Sequence, residues 1–155
     1  MSPNTVGIRA SFPHHSALFG FVVAAAVASA GMARADDYDA TLKDIETTMG
    51  GVPGFVKQFP KAGLPGAWAE VKAIELSDRT ALSPKEKSLI SLAVSAQIPC
   101  QYCIWSDTQN ARHAGATDEE IQEAVAISAL TRHWSTVFNG MQIDFETFKK
   151  EMGGE

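Results

Sequence analysis

The stretch that decides the fold is residues 83–121, which read SPKEKSLISLAVSAQIPCQYCIWSDTQNARHAGATDEEI. Two helix-start signals lie near its ends: Ser83 is followed three residues later by Glu86, and Thr117 is followed in the same way by Glu120. Each pair is typical of a capping box, in which a hydroxyl and a carboxylate satisfy free amide groups at a helix N-terminus. The sequence therefore predicts that helices begin at both places.

Two helices separated by a break are predicted between these starts. The first reaches about Gln97, since Pro99 cannot continue it. The second begins near Cys100 and ends near His113, before Gly115, a residue typical of the position after a helix. We expect most apolar side chains of the first helix to be buried: Leu89, Ile90, Leu92, Ala93 and Val94.

Helical segments are also predicted on both sides of this stretch. Their expected ranges are 40–49, 52–61 and 66–75 upstream, and 118–140 and 144–152 downstream. No alternating apolar and polar run flanked by hairpin turns predicts a strand. The expected fold is an all-α helical bundle.

The N-terminus is typical of a secretory signal peptide. Residues 17–32 are apolar and uncharged, follow the basic Arg9, and end at Ala33-Arg34-Ala35, which resembles a cleavage site. We therefore expect residues 1–35 to be removed after Ala35, an exported and periplasmic protein, and one helical domain over residues 36–155. The alternative is a membrane anchor formed by residues 17–32, although the run is shorter than the roughly 20 residues that span a bilayer.

Charge and length restrict the partners of the mature chain. Removing residues 1–35 takes away Arg9 and Arg34 and no acid, so the formal net charge changes from −5 to −7. An acidic chain without a basic cluster argues against nucleic acid as a partner. A chain of this size buries a modest core, so association into a homo-oligomer would help. We expect Trp105 and Trp134 to lie in the core or in a subunit interface.

The two cysteines form a C-x-x-C pair at a predicted helix start. The partial positive charge of the helix N-terminus stabilises a thiolate at Cys100, and Cys103 follows one turn later on the same face. Asp107 continues that face four residues on, where a carboxylate can relay the proton of a thiol. A disulfide between the cysteines would close a very short loop and stabilise the fold little, so a redox role is favoured over a structural one.

Metal and cofactor sites are not indicated. A zinc site would need His113 and His133 besides the two cysteines, and a second closely spaced ligand pair is missing. We expect neither a metal nor a cofactor.

Four runs of sequence carry a resemblance to a known family. Residues 82–89 (LSPKEKSL), 93–96 (AVSA), 100–103 (CQYC) and 114–121 (AGATDEEI) are similar to the core of the alkylhydroperoxidase D / carboxymuconolactone decarboxylase superfamily. The similarity is good over residues 82–130 and loose over residues 65–148. It implies a helical bundle whose redox members use C-x-x-C to reduce peroxides or pass electrons between thiols, and which assembles into trimers or larger rings.

This chain differs from the peroxidase members of the family at the residues that form their proton relay. Those members carry a glutamate and a histidine where this chain has Ser88 and Asp107. Either Asp107 takes over the histidine's role with Ser88 as a hydrogen-bonding aid, or the relay is rebuilt from elsewhere, with His133 as the leading candidate. The resemblance also implies that Cys103 attacks the peroxide and Cys100 resolves it, whereas helix placement favours the reverse; the order stays open.

The expected function is a thiol-dependent peroxidase or thiol–disulfide oxidoreductase with peroxiredoxin-type activity. Its substrate would be a peroxide or a disulfide, its electron donor an unidentified thiol reductant, and its assembly a homo-oligomer, a trimer or hexamer. One alternative is a decarboxylase of small acids, as in the branch that shares the superfamily's name. Another is a helical module without enzymatic activity, in which the disulfide is structural.

Overall fold

The computed structural model describes residues 37–154, all of whose regular elements are helical, so the predicted all-α class is confirmed. Contacts divide the chain into an N-terminal unit that ends at Ala69 and a C-terminal unit that begins at Glu70. The predicted signal peptide lies outside the described residues. Among the described helices, none is long and apolar enough to cross a membrane.

The N-terminal unit is built on helix α1, residues 37–49. Its core contains Tyr38 and Ile45 of α1, Val56, and Leu64 at the start of helix α2 (Leu64–Glu70). Residues 37–39, which precede the predicted start of α1, are already helical, and Tyr38 among them is buried. The prediction of a helix over residues 52–61 was wrong. Only a short 3-10 helix forms there (Val56–Gln58), because glycines and prolines interrupt the segment.

The C-terminal unit begins where α2 runs into a π-helical turn, Val71–Glu75. Four helices follow: α3 (Pro84–Gln97), α4 (Gln101–His113), α5 (Asp118–Gly140) and α6 (Phe145–Glu151). Helix α3 packs against both α4 and α5 and is the centre of the unit.

Both predicted capping boxes are confirmed. The Ser83 hydroxyl accepts from the Glu86 amide at 3.3 Å, and the Glu86 carboxylate accepts from the Ser83 amide at 2.7 Å. Thr117 and Glu120 repeat the exchange at 3.1 and 2.8 Å. Lys85 then joins the two helix starts, because its Nζ lies 2.8 Å from Glu120 Oε1. These hydrogen bonds hold the pKa of both glutamates below the ordinary value.

The core of the C-terminal unit contains fewer buried side chains than the sequence predicts. Leu92, Ala111 and Ile121 are buried, one each from α3, α4 and α5. Ile90 and Val94, expected to be buried, are more than half exposed. Leu92 lies where α3 packs on α4 and α5, whereas Ile90 and Val94 line a groove between α3 and α5 that is open to solvent. Trp105 and Trp134 are exposed as well, and therefore do not belong to the core of the chain.

Candidate functional site

The two cysteines form a disulfide at the N-terminus of α4. Their Sγ atoms are 2.06 Å apart and their Cα atoms 5.3 Å apart. Pro99 ends the preceding helix, and Cys100 becomes the N-cap of α4 with an extended backbone. Its Sγ accepts a hydrogen bond from the Cys103 amide at 3.2 Å. That amide is one of the free donors of the helix start, so it would also stabilise a thiolate at Cys100 in the reduced state.

Residues next to the disulfide in the sequence carry exposed apolar side chains. Both cysteines are half-buried, whereas Tyr102 is 78% exposed and Trp105 is 70% exposed. Ile98, just before the pair, is also mostly exposed. The disulfide therefore lies at the protein surface, where a small substrate or another protein can approach it.

Asp107 is half-buried one turn beyond Cys103. Burial raises the pKa of its carboxyl above the ordinary value, and a hydrogen bond with the Ser95 side chain partly offsets that rise. An upward shift brings a carboxyl closer to neutrality, where general acid–base catalysis is most efficient. The environment of Asp107 thus favours a proton-transfer role.

A cleft of about 280 Å³ opens on the same side of α4. Ser88 of α3 and Asp107 of α4 both line it, so the structure brings together the two residues that replace the family's relay. The Ser88 hydroxyl donates to the Pro84 carbonyl at 2.9 Å. With its proton directed into its own helix, the Ser88 oxygen is left to accept hydrogen bonds from the cleft.

Two groups of the predicted site lie elsewhere. The cysteines do not line the cleft, which begins one turn further along α4. His133 is also absent from the lining: it is exposed on α5, with its ring edge-on to Trp134 at a centroid distance of 5.2 Å. The structure therefore groups Ser88 with Asp107 and leaves His133 outside that group.

Several polar residues of the cleft were missed by reasoning from the sequence. His113 was expected to face solvent; it is indeed exposed, but it also lines the cleft. The spacing Asp107–Asn110–His113, three residues each, would have indicated this. Glu75 reaches the cleft from the π-helical turn, which no sequence signal predicts, and Lys87 reaches it from α3.

The charged groups of the cleft are of both signs. Lys87 donates from Nζ to the Ser77 carbonyl at 2.6 Å, so its ammonium group is held by the loop before α3. Within residues 37–154, no group of three or more histidine, cysteine, aspartate or glutamate side chains is arranged to hold a metal ion. The cleft thus combines apolar lining residues, among them Leu76 and Pro84, with acids, hydroxyls, a lysine, an amide and an imidazole.

Comparisons with known proteins agree with this architecture. The chain is similar to a protein of Paracoccus denitrificans described as uncharacterized protein 4 in the cox locus, with 34% identity over 71 residues. That match covers 46% of this chain, which spans only 63% of the relative's length. Among solved structures, the chain is similar to the alkylhydroperoxidase AhpD core from Rhodospirillum rubrum, with 31% identity and a TM-score of 0.63 over 77% of this chain and 90% of that one.

The family model decides the assignment. Residues 62–144, more than half of the chain, match the model described as carboxymuconolactone decarboxylase family. The matched range contains the disulfide and Ser88, Asp107 and His113. The chain therefore belongs to the carboxymuconolactone decarboxylase family.

Proposed function

We propose that this protein is a thiol-dependent peroxidase in which Cys100 and Cys103 cycle between dithiol and disulfide. Family membership supports a peroxidase-like or a decarboxylase-like role. The observation that carries the peroxidase proposal is the surface disulfide at the start of α4, followed one turn later by the half-buried Asp107. A decarboxylase does not depend on such a pair.

The reaction begins with a thiolate of the pair. It attacks one oxygen of the peroxide ROOH, the O–O bond breaks, and the products are a sulfenic acid and RO⁻. The proton taken from the attacking thiol goes to RO⁻ and gives ROH. The second cysteine then attacks the sulfenic sulfur, and water leaves as the disulfide forms. The dithiol has supplied two electrons, and the peroxide has been reduced to an alcohol and water.

Asp107 is proposed as the group that holds the proton between the thiol and the leaving oxygen. Its position one turn from Cys103 puts it on the cysteine-bearing side of α4, and burial raises its pKa towards the range that such a transfer requires. Ser88, whose oxygen faces the cleft as an acceptor, positions the protonated carboxyl.

An external thiol closes the cycle. A dithiol reductant attacks the Cys100–Cys103 disulfide, forms a mixed disulfide, and leaves as its own disulfide when the pair is reduced. The protein would meet this reductant outside the cytoplasm, given the signal peptide expected over residues 1–35. The partner is therefore an exported thiol reductant.

The test is peroxide consumption with dithiothreitol as reductant. We expect turnover by the wild type and at least about a 10²-fold loss in both Cys100→Ser and Cys103→Ser, with folded proteins in each case. Each variant keeps one thiol, and trapping of the sulfenic acid after a single addition of peroxide identifies which cysteine attacks. Thr136→Ala, a change at an exposed residue of α5 outside the cleft, is the control variant and should keep the wild-type rate.

Two results would contradict the proposal. Wild-type peroxide consumption in both cysteine variants, with a small loss of stability, would assign a structural role to the disulfide. Absence of peroxide consumption in the wild type, with turnover of a small carboxylic acid that survives both substitutions, would favour the decarboxylase alternative.

We also propose that the working form is a homo-oligomer, a trimer or hexamer. A groove between α3 and α5, within the C-terminal unit, is lined by exposed apolar residues that include Ile90, Val94 and Ile127. Adjacent apolar side chains that are exposed to water cost free energy, and such a patch is typical of a protein–protein interface. A second copy of the chain is the occupant that agrees with the assemblies implied by the family resemblance.

A further inference from the structure

His113 lies in the same cleft as Asp107 but closer to solvent. Both line the cavity of about 280 Å³, Asp107 as a half-buried residue and His113 as an exposed one at the last position of α4. Asn110 lies between them at a spacing of three residues on each side and also lines the cavity. The cavity thus runs along α4 from Asp107, one turn beyond Cys103, to an imidazole at the protein surface.

We propose that His113 exchanges protons between solvent and Asp107 when the disulfide is reduced. The proposal rests on the redox role of the cysteine pair given above and adds the route by which protons reach it. The cleft is the passage: at about 30 Å³ per water molecule it has room for several waters in a chain.

Reduction of the disulfide creates the need for such a route. Converting one disulfide into two thiols takes up two electrons and two protons. A dithiol reductant supplies both electrons, but it attacks as a thiolate, whose proton has already gone to solvent. Protons must therefore enter the site as the cysteine thiolates are released, and Asp107 is the half-buried group one turn from Cys103 that receives and passes them on.

The other polar groups of the cleft are less suited to this exchange. Lys87 is held by its 2.6 Å hydrogen bond to the Ser77 carbonyl, and the Ser88 proton is directed to the Pro84 carbonyl. Histidine is the side chain that ordinarily gains and loses a proton between pH 5 and 8. The charged groups facing His113 in the cleft are Glu75 from the π-helical turn, Lys87 from α3 and Asp107 from α4.

His133 is a matched control within the same chain. It too is an exposed histidine on a long helix of the C-terminal unit. It contacts Trp134 and does not line the cleft. A general effect of losing one surface imidazole will therefore appear in both variants, whereas loss of proton exchange will appear only at His113.

The experiment follows the reduction of the pre-oxidised protein by dithiothreitol, without any peroxide. In weak buffer we expect His113→Ala to be reduced on the order of tenfold more slowly than the wild type, less than the ~10² of a full acid–base catalyst because water replaces part of the function. Added imidazole should restore the rate, since a small base fits the cleft. His133→Ala should match the wild type and show no response to imidazole.

A double variant tests whether the two groups act in series. If His113 works through Asp107, then Asp107→Asn combined with His113→Ala should be no slower than Asp107→Asn alone. His113→Gln, which retains a polar side chain of similar size, should be as slow as His113→Ala and guards against loss of folding in the alanine variant.

Three outcomes would overturn the proposal: a wild-type reduction rate in His113→Ala at weak buffer, a slow rate that imidazole does not restore, or fully additive losses in the double variant. Because the assay contains no peroxide, a failure of the peroxidase proposal appears separately, as missing peroxide consumption by the wild type.

Discussion

Replacing Asp107 with asparagine tests the proton relay with little change of shape. The substitution keeps the size of the side chain and removes its ability to hold a proton. If Asp107 transfers the thiol proton, the rate should fall by about 10²-fold or more, the low end of general acid–base contributions. At about 1.36 kcal/mol per decade, this is an increase of at least about 2.7 kcal/mol in the activation free energy.

Stability should respond in the opposite direction to activity. Burial raises the pKa of Asp107 in the folded protein, which means that the ionised carboxylate is disfavoured there. A carboxyl of this kind destabilises the fold at pH values above its folded pKa, and the penalty disappears as the pH falls below its unfolded pKa. Asp107→Asn should therefore leave the free energy of unfolding at pH 7 unchanged or higher, although the rate has dropped.

The pH profile of kcat/KM for peroxide is the second measurement. Because Asp107 must be ionised to accept the thiol proton, the wild-type rate should fall on the acid side as the pH drops through its raised pKa. The asparagine variant should lack this acid limb. Asp107→His should recover part of the rate, since it rebuilds the arrangement found in the peroxidase members of the family.

A control variant is needed to distinguish the loss of proton transfer by Asp107 from the loss of one negative charge on the protein. Asp118 is exposed on α5, outside the cleft, and forms a 3.1 Å ion pair with Arg112. Asp118→Asn should keep the wild-type rate. A wild-type rate in Asp107→Asn would refute the relay and leave Asp107 as a carboxylate that merely serves solubility.

Four further measurements address the rest of the molecule. N-terminal sequencing of exported protein should begin at Asp36; an exported product that begins upstream of it would contradict cleavage after Ala35. Ser83→Ala should lower the free energy of unfolding by about 1 kcal/mol in urea denaturation, because it removes the N-cap of α3, and an unchanged value would mean that the cap contributes nothing. Cys100→Ser should cost at most a few kcal/mol in the same assay, as the disulfide closes a very short loop. Val94→Asp should shift the mass measured by light scattering towards the monomer, whereas a wild-type assembly of that variant would place the interface elsewhere.

Local interactions are the part of this structure that the sequence by itself determined. Capping boxes, the break at Pro99 and the left-handed Gly115 (φ 84°) each involve atoms within about four residues along the chain. Their signals are therefore complete in a short stretch of letters. For the same reason the C-x-x-C pair at the start of α4 and Asp107 one turn later could be placed correctly in advance.

Only the tertiary structure decided which faces are buried and which residues share the cleft. Ile90 and Leu92 are both apolar residues of α3, yet Leu92 is buried with residues of α4 and α5 whereas Ile90 is half exposed. His113 and His133 look alike in the sequence, and only the packing of α3 on α4 forms the cleft, which the first histidine lines and the second does not. Such groupings depend on contacts between helices far apart in the chain, whose relative rotation no local pattern specifies.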